Sequence, residues 1–136
     1  MAALTQDRKT DRRDNNQMSL GAAAGVKCYT GGIVVRNATG YAAPGSTALN
    51  LKALGIAEKT IDNSSGNDGD LQVPIRKGTF KFENSAGADE ITNAEIGTTC
   101  YIVDDQTVAK TDGTGTRSEA GAVVQVDSSG VWVTLG

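Results

Sequence analysis

The chain has 136 residues, with 13 Lys+Arg against 16 Asp+Glu and no histidine, for a net charge of -3. That length fits one domain, or one domain with a tail, and the mildly acidic balance argues against nucleic-acid binding, which asks for a basic patch. Without histidine the commonest general base, metal ligand and pH switch are missing, and Cys28 and Cys100 alone cannot build an ordinary zinc site.

The core is expected to be small. Hydrophobic residues make up 38% of the chain and aromatics only 4%, while glycine reaches 17 residues. A body this poor in large side chains is expected to gain stability from self-association or from docking on a partner. The first residues, Met1 to Arg8, contain no apolar stretch of signal-peptide length, and no run approaches the ~20 apolar residues of a membrane helix. Synthesis in the cytosol without membrane contact is therefore expected. Both cysteines are expected to be reduced and buried, with a disulfide as the lesser alternative.

Residues 1–20 stand apart as an extended, flexible N-terminal arm. Between Leu4 and Met18 there is no large apolar side chain, and Asp7, Arg8, Lys9, Asp11, Arg12, Arg13 and Asp14 place seven charges of both signs in eight positions. Such a stretch cannot bury enough surface to fold alone. It reads either as a disordered leader or as an arm that orders on a partner, with Leu4, Met18 and Leu20 as anchors and Asp7, Arg8, Lys9, Asp11, Arg12 and Arg13 as its ionic contacts. A membrane-binding segment would carry one sign of charge.

From residue 21 to 136 the pattern predicts a single all-β domain. Val26–Tyr29, Ile33–Val35 and Tyr41–Ala43 read as short strands separated by Gly31-Gly32 and by Asn37–Gly40. Leu49–Ala57 fits strand and helix periods alike, with the residues around Gly55 favouring a strand from Leu54 to Ile61. Asn63–Asp70 is a polar loop. Leu71, Val73 and Ile75 alternate with polar residues, and Pro74 asks for an edge strand or an outward-pointing nitrogen. Lys77-Gly78 then predicts a turn, with Thr79–Glu83 returning as the second arm of a hairpin and both phenylalanines on one face. Glu90–Ile96 can make one helical turn, ended by Gly97. Thr99–Val103 and Thr107–Lys110 flank a turn at Asp104-Asp105. Ala122–Asp127 and Gly130–Leu135 form a last hairpin, whose inner face is either Val124, Val126, Val131, Val133 and Leu135 or the side that carries Trp132. Short strands at this spacing predict a small β-barrel or sandwich with at most one short helix.

Nothing in the motif inventory points to catalysis, a cofactor or a metal. Asp104-Asp105 is the only adjacent aspartate pair, and neighbours in a strand point to opposite faces, so a turn is the expected role. The oxygen-rich loop Asp62–Asp70 departs from a calcium loop, with Ser64 and Gly66 where acidic or amide ligands belong. Asp112–Thr116 lacks the Gly-Lys-[Ser/Thr] of a phosphate loop, and no serine or threonine has a visible activating base. Trp132 reads as a core or interface anchor, or as a stacking platform for a ligand.

The order of segments carries more. LGIAEKTID (Leu54–Asp62) leads through the polar loop to LQVPIRKGTFKFEN (Leu71–Asn84). AEIGTTCYIVDDQTVAKT (Ala94–Thr111) and the close AGAVVQVDSSGVWVTLG (Ala120–Gly136) follow. This succession, from about Val26 to Gly136, resembles the capsid cement, or head decoration, proteins of tailed bacteriophages. The resemblance implies a small β-barrel or β-tulip-like body and a structural, non-enzymatic role on the outer surface of the expanded head. It further implies homotrimers at threefold positions that bind and tie together major capsid protein subunits, with no cofactor, nucleic acid or membrane as partner. The protein is then made in the host bacterial cytoplasm and resides on the virion exterior. A tail or head–tail junction protein, or a non-catalytic ligand-binding β module, are the alternatives.

Overall fold

Strands form where β-branched and alternating runs meet partners far along the chain, and the computed structural model describes residues 2–136 as a nearly all-β domain. Twelve strands occur among the described residues: β1 (Gln17–Gly21), β2 (Lys27–Cys28), β3 (Ile33–Arg36), β4 (Ala42–Pro44), β5 (Lys52–Ala57), β6 (Ile61–Asp62), β7 (Gln72–Arg76), β8 (Gly78–Asn84), β9 (Thr99–Ile102), β10 (Thr107–Ala109), β11 (Glu119–Asp127) and β12 (Gly130–Leu135). Two single 3-10 turns, Gly87–Asp89 and Asn93–Glu95, replace the one helical turn expected at Glu90–Ile96. The second is closed by a capping box in which Thr92 and Glu95 satisfy each other's backbone N–H groups, which fixes so short a turn without any buried residue. No helix among the described residues is long and apolar enough to cross a membrane.

The strands make two layers. β10, β8, β12, β11 and β9 close into a five-stranded barrel, antiparallel except for the parallel β8–β10 pair. A five-stranded sheet of order β1-β7-β5-β3-β4 packs beside it, and β2 pairs with β6 alone. Alternation in β3 ties the layers together. Ile33 and Val35 join the barrel core with Phe82, Ile102, Val108, Val131, Val133 and Leu135. Val34 points to the other face, where a second cluster holds Cys28, Ala57, Val73 and Ile75, with Met18, Leu20, Val26 and Leu54 packed against it. At one end the two edges of the sheet meet: Ala22 bridges Ala42, and the Ala23 N–H donates to the Ala42 carbonyl at 2.8 Å.

Several expectations are corrected. The hairpin predicted across Lys77-Gly78 does not form. β7 pairs with β1 and β5 in the sheet, whereas β8 pairs with β12 and β10 in the barrel, so Lys77 carries the chain from one layer to the other. Both phenylalanines of β8 nevertheless face the barrel core. β7 is an interior strand, not an edge. Pro74 is tolerated because it stands where the β5–β7 ladder ends, its carbonyl accepting from the Glu58 N–H at 2.9 Å. The strand predicted from Leu54 to Ile61 is divided into β5 and β6. In the last hairpin Val131, Val133 and Leu135 fill the inner face with Val123, and Trp132 lies outside. Val124 is turned outward and 49% exposed by a bulge between Val123 and Gln125, which alternation alone does not reveal.

Candidate functional site: the arm and the strand it leaves from

The arm is shorter than residues 1–20. Residues 2–14 contain no strand or helix and are all exposed, with Leu4 at 72%. No hydrogen bond or ion pair among the described residues joins them to the body, so Asp7, Arg8, Lys9, Asp11, Arg12 and Arg13 stand with their charges in solvent. The body begins with the anchoring of Asn15 and Asn16. The Lys77 Nζ donates to Asn15 Oδ1 at 2.9 Å, and the Lys77 N–H donates to the Asn16 carbonyl at 2.9 Å.

Met18 and Leu20 are therefore not arm anchors. They belong to β1, which pairs with β7 over Gln17↔Arg76 through Gly21↔Gln72, and their side chains pack half-buried against the second core cluster. The polar residues between them face the other way. There the Gln17 Nε2 donates to both Glu58 carboxylate oxygens at 3.3 and 3.4 Å, and Glu58 pairs with the Arg76 Nε at 2.8 Å. This cluster pins the start of β1 to the end of β5 across β7. A shallow open depression lined by Arg13, Gln17, Met18, Ser19, Glu58 and Pro74 lies beside it. The signal for β1 was present in the sequence as apolar Met18 and Leu20 alternating with Gln17 and Ser19. It spans only four residues next to a run of charges.

The other candidates resolve into structure-holding roles. Asp104 Oδ1 accepts the Gln106 N–H at 2.9 Å, a local turn, while the Asp105 carbonyl accepts from the Ile33 N–H at 2.7 Å. In the Asp62–Asp70 loop each carboxylate already caps a backbone N–H: Asp62 that of Ser64 at 3.0 Å, Asp68 that of Ala24 at 2.7 Å and Asp70 that of Asn67 at 2.8 Å. No group of three His, Cys, Asp or Glu side chains is placed to hold a metal ion among the described residues. The Asp112–Thr116 loop folds over Arg117, whose Nη1 donates to the Thr111 carbonyl at 3.0 Å and pairs with Asp89 at 3.3 Å.

Trp132 lies on the outer face of the barrel. Its Nε1 donates to Asp127 Oδ2 at 3.4 Å, and the Lys81 ammonium stands 5.8 Å from the ring centroid while pairing with Asp127 Oδ1 at 3.0 Å. Hydrogen bonds from Ser129, then from Lys81 and Trp132, hold the Asp127 carboxyl well below the usual carboxylate range. Cys28 and Cys100 are both free and buried in different core clusters, and burial pushes each thiol up to about 11.

Comparison with known protein families, with curated proteins and with solved structures finds no match for this chain.

Proposed function

We propose that the chain is a structural virion protein that binds the outer surface of an expanded tailed-phage head, as trimers at threefold positions, and stabilises the capsid. The observation that carries this reading is the arm. Thirteen residues, 2–14, are exposed without a bond to the body, and they carry four cations and three anions. A segment of that composition gains partners only by ordering on another surface. Residues 2–16 can span at most about 50 Å when extended, enough to cross from one subunit to the next. The closed barrel supplies a body without open edges on that side, and the succession of segments from Val26 to Gly136 resembles the head decoration proteins. On a symmetric lattice many weak contacts sum to an avidity above any single affinity. The partner in this reading is the major capsid protein, the location is the capsid exterior, and the site of synthesis is the host bacterial cytoplasm. The reading assigns the chain no catalytic step, and it is compatible with the carboxylates of the Asp62–Asp70 loop and Asp104, which accept from backbone N–H groups.

Co-sedimentation with expanded, undecorated heads tests the reading, with the full chain and a chain lacking residues 2–14 side by side. Saturable binding near one copy per major capsid subunit is expected for the full chain and weaker binding for the shortened one. Replacing Arg12 and Arg13 by alanine should weaken binding and make its loss with added salt less steep. No binding by either length would overturn the reading and return the protein to the tail or to ligand binding, which virion copy number would separate.

A further inference from the structure

Strand edges are the places where one chain can pair with another, and this fold closes nearly all of its own. The barrel has none. On β4 the Ala42 carbonyl already accepts from Ala23, and Pro44 has no N–H to offer. β2 and β6 are two residues each. What is left is the outer edge of β1. The Asn16 carbonyl bonds to the Lys77 N–H and the Ala22 N–H to the Leu71 carbonyl, so by the alternation of an antiparallel ladder the even-numbered residues face β7. The N–H and C=O groups of Gln17 and Ser19 point away from the sheet, and the half-buried Met18 and Leu20 lie at its rim.

We propose that this edge is an acceptor for an extended strand of the shell subunit that captures the arm. The proposal rests on the docking reading above for the identity of that partner. The strand it fits has apolar side chains at alternate positions, two of them facing Met18 and Leu20, with polar residues between. The arm leaves the body at Asn16, immediately before the edge, so any chain holding the arm is delivered to Gln17 and Ser19 at high effective concentration.

Two other occupants are disfavoured by geometry. A second copy pairing β1 with β1 about a twofold axis centred at Met18 would carry its own arm along Gly21 and Ala22. That space is taken: Ala22 bridges Ala42, and the Ala23 N–H donates to the Ala42 carbonyl at 2.8 Å. The chain's own arm has the right spacing to fold back. A two-residue connection at Asn15-Asn16 would set Asp14 opposite Gln17 and Arg12 opposite Ser19 as hydrogen-bonded pairs. The same register sets Arg13 against Met18 and Asp11 against Leu20, placing two charges on the apolar rim at a desolvation cost. Residues 2–14 accordingly form no strand against the edge. The charges of the arm thus keep it from covering its own acceptor.

The test turns the arm into the missing strand. In the full chain, amide exchange followed by NMR should show Gln17 and Ser19 exchanging freely while Met18 and Leu20, bonded to β7, are protected. In D11V/R13V the arm should pair back, slowing exchange at Gln17 and Ser19 by about tenfold or more, with Met18 and Leu20 reporting that the body is intact. Protection of Gln17 and Ser19 in the unsubstituted chain, or none in D11V/R13V, overturns the acceptor edge without reference to any shell. Binding to bare expanded heads then tests the partner. D11V/R13V should bind at least about tenfold more weakly than D11A/R13A, which loses the same charges without gaining strand-forming side chains. Equal binding by the two variants overturns the edge as the docking site while leaving the docking reading in place. Failure of the unsubstituted chain to bind overturns the docking reading itself.

Discussion

Gly55 on β5 lies so close to Arg76 on β7 that a Cβ at position 55 would overlap the Arg76 carbonyl oxygen and press on Ile75 Cγ2. The closeness comes from the bulge at Leu54-Gly55, which lets Leu54 and Ile56 face opposite cores although they are two residues apart. Gly121 repeats the arrangement at the β9–β11 bulge, against the Thr134 carbonyl. In each case the obstacle is backbone, which cannot swing aside as a side chain can. Gly55→Ala and Gly121→Ala should each cost about 3 kcal/mol, seen as a lower urea midpoint at unchanged slope. Wild-type midpoints would mean that the strands separate freely at the bulges.

Asn63 is the buried hinge-pin of the loop that follows β6. It is 2% exposed, and its Nδ2 donates to the Ala23 carbonyl at 2.9 Å and the Asn67 carbonyl at 3.0 Å. Removing the amide leaves the buried Ala23 carbonyl without a donor, while the Asn67 carbonyl keeps the Asp70 N–H at 3.2 Å, so Asn63→Ala should destabilise by about 2 kcal/mol. Asn63→Asp should be worse at neutral pH, because a carboxylate would face those same carbonyls. Asp68→Ala removes only an exposed cap on the Ala24 N–H and should cost about 1 kcal/mol. Chemical unfolding of the three variants checks the order, and a reversed order would assign the loop's stability to Asp68.

Acid should be the only pH limb of stability near neutrality. Four carboxylates are held below their ordinary values: Asp127 chiefly by Ser129, Asp62 by Ser64, Asp89 by Thr111 and Glu95 by the Thr92 N–H. A lowered carboxylate contributes stability that is complete above its unfolded value, 3.8 for the aspartates, and is lost as pH falls through the folded value. No side chain has an ordinary pKa between about 5 and 8, since histidine is absent. The melting temperature should therefore be flat from pH 5 to 8 and fall below pH 4. Asp127→Asn should lower it at pH 7 and fall less steeply in acid, the two curves drawing together as pH falls below 3.8. Parallel curves would remove Asp127 from the acid response.

What could be read from sequence was what is local. The β11–β12 hairpin is closed by an Asp127–Gly130 turn, in which Asp127 Oδ1 accepts the Ser129 N–H at 2.8 Å, and β12 lies where its alternating Val131, Val133 and Leu135 put it, whereas the bulge in β11 turns Val123 inward in place of Val124. The Leu71–Glu83 region carried the same signs, two alternating runs about a Lys-Gly pair, yet its strands part into different layers. Their partners, Met18 to Gly21 and Val131 to Leu135, are dozens of residues away, and alternation names a face without naming a neighbour. The arm's charged stretch was legible because nothing apolar interrupts it. The open edge beside it was not, since being an edge is a property of strand order rather than of Gln17 or Ser19.

The boundary between arm and body yields the last expectation. Residues 2–14 make no hydrogen bond or ion pair with the body among the described residues, so deleting them should leave the unfolding free energy unchanged within about 0.5 kcal/mol. Deleting residues 2–20 removes nearly all of β1, with the Met18 and Leu20 side chains and most of the β1–β7 ladder. Half-burial of two large side chains and the lost backbone bonds together should cost about 3–5 kcal/mol, and Val73 and Ile75 would lose their cover. Because β7 then becomes an edge, the longer deletion should also aggregate where the shorter one stays monodisperse. Urea unfolding with light scattering on both deletions separates the cases. Equal stability of the two would place the start of the folded body after residue 20, and with it Met18 and Leu20 in the arm.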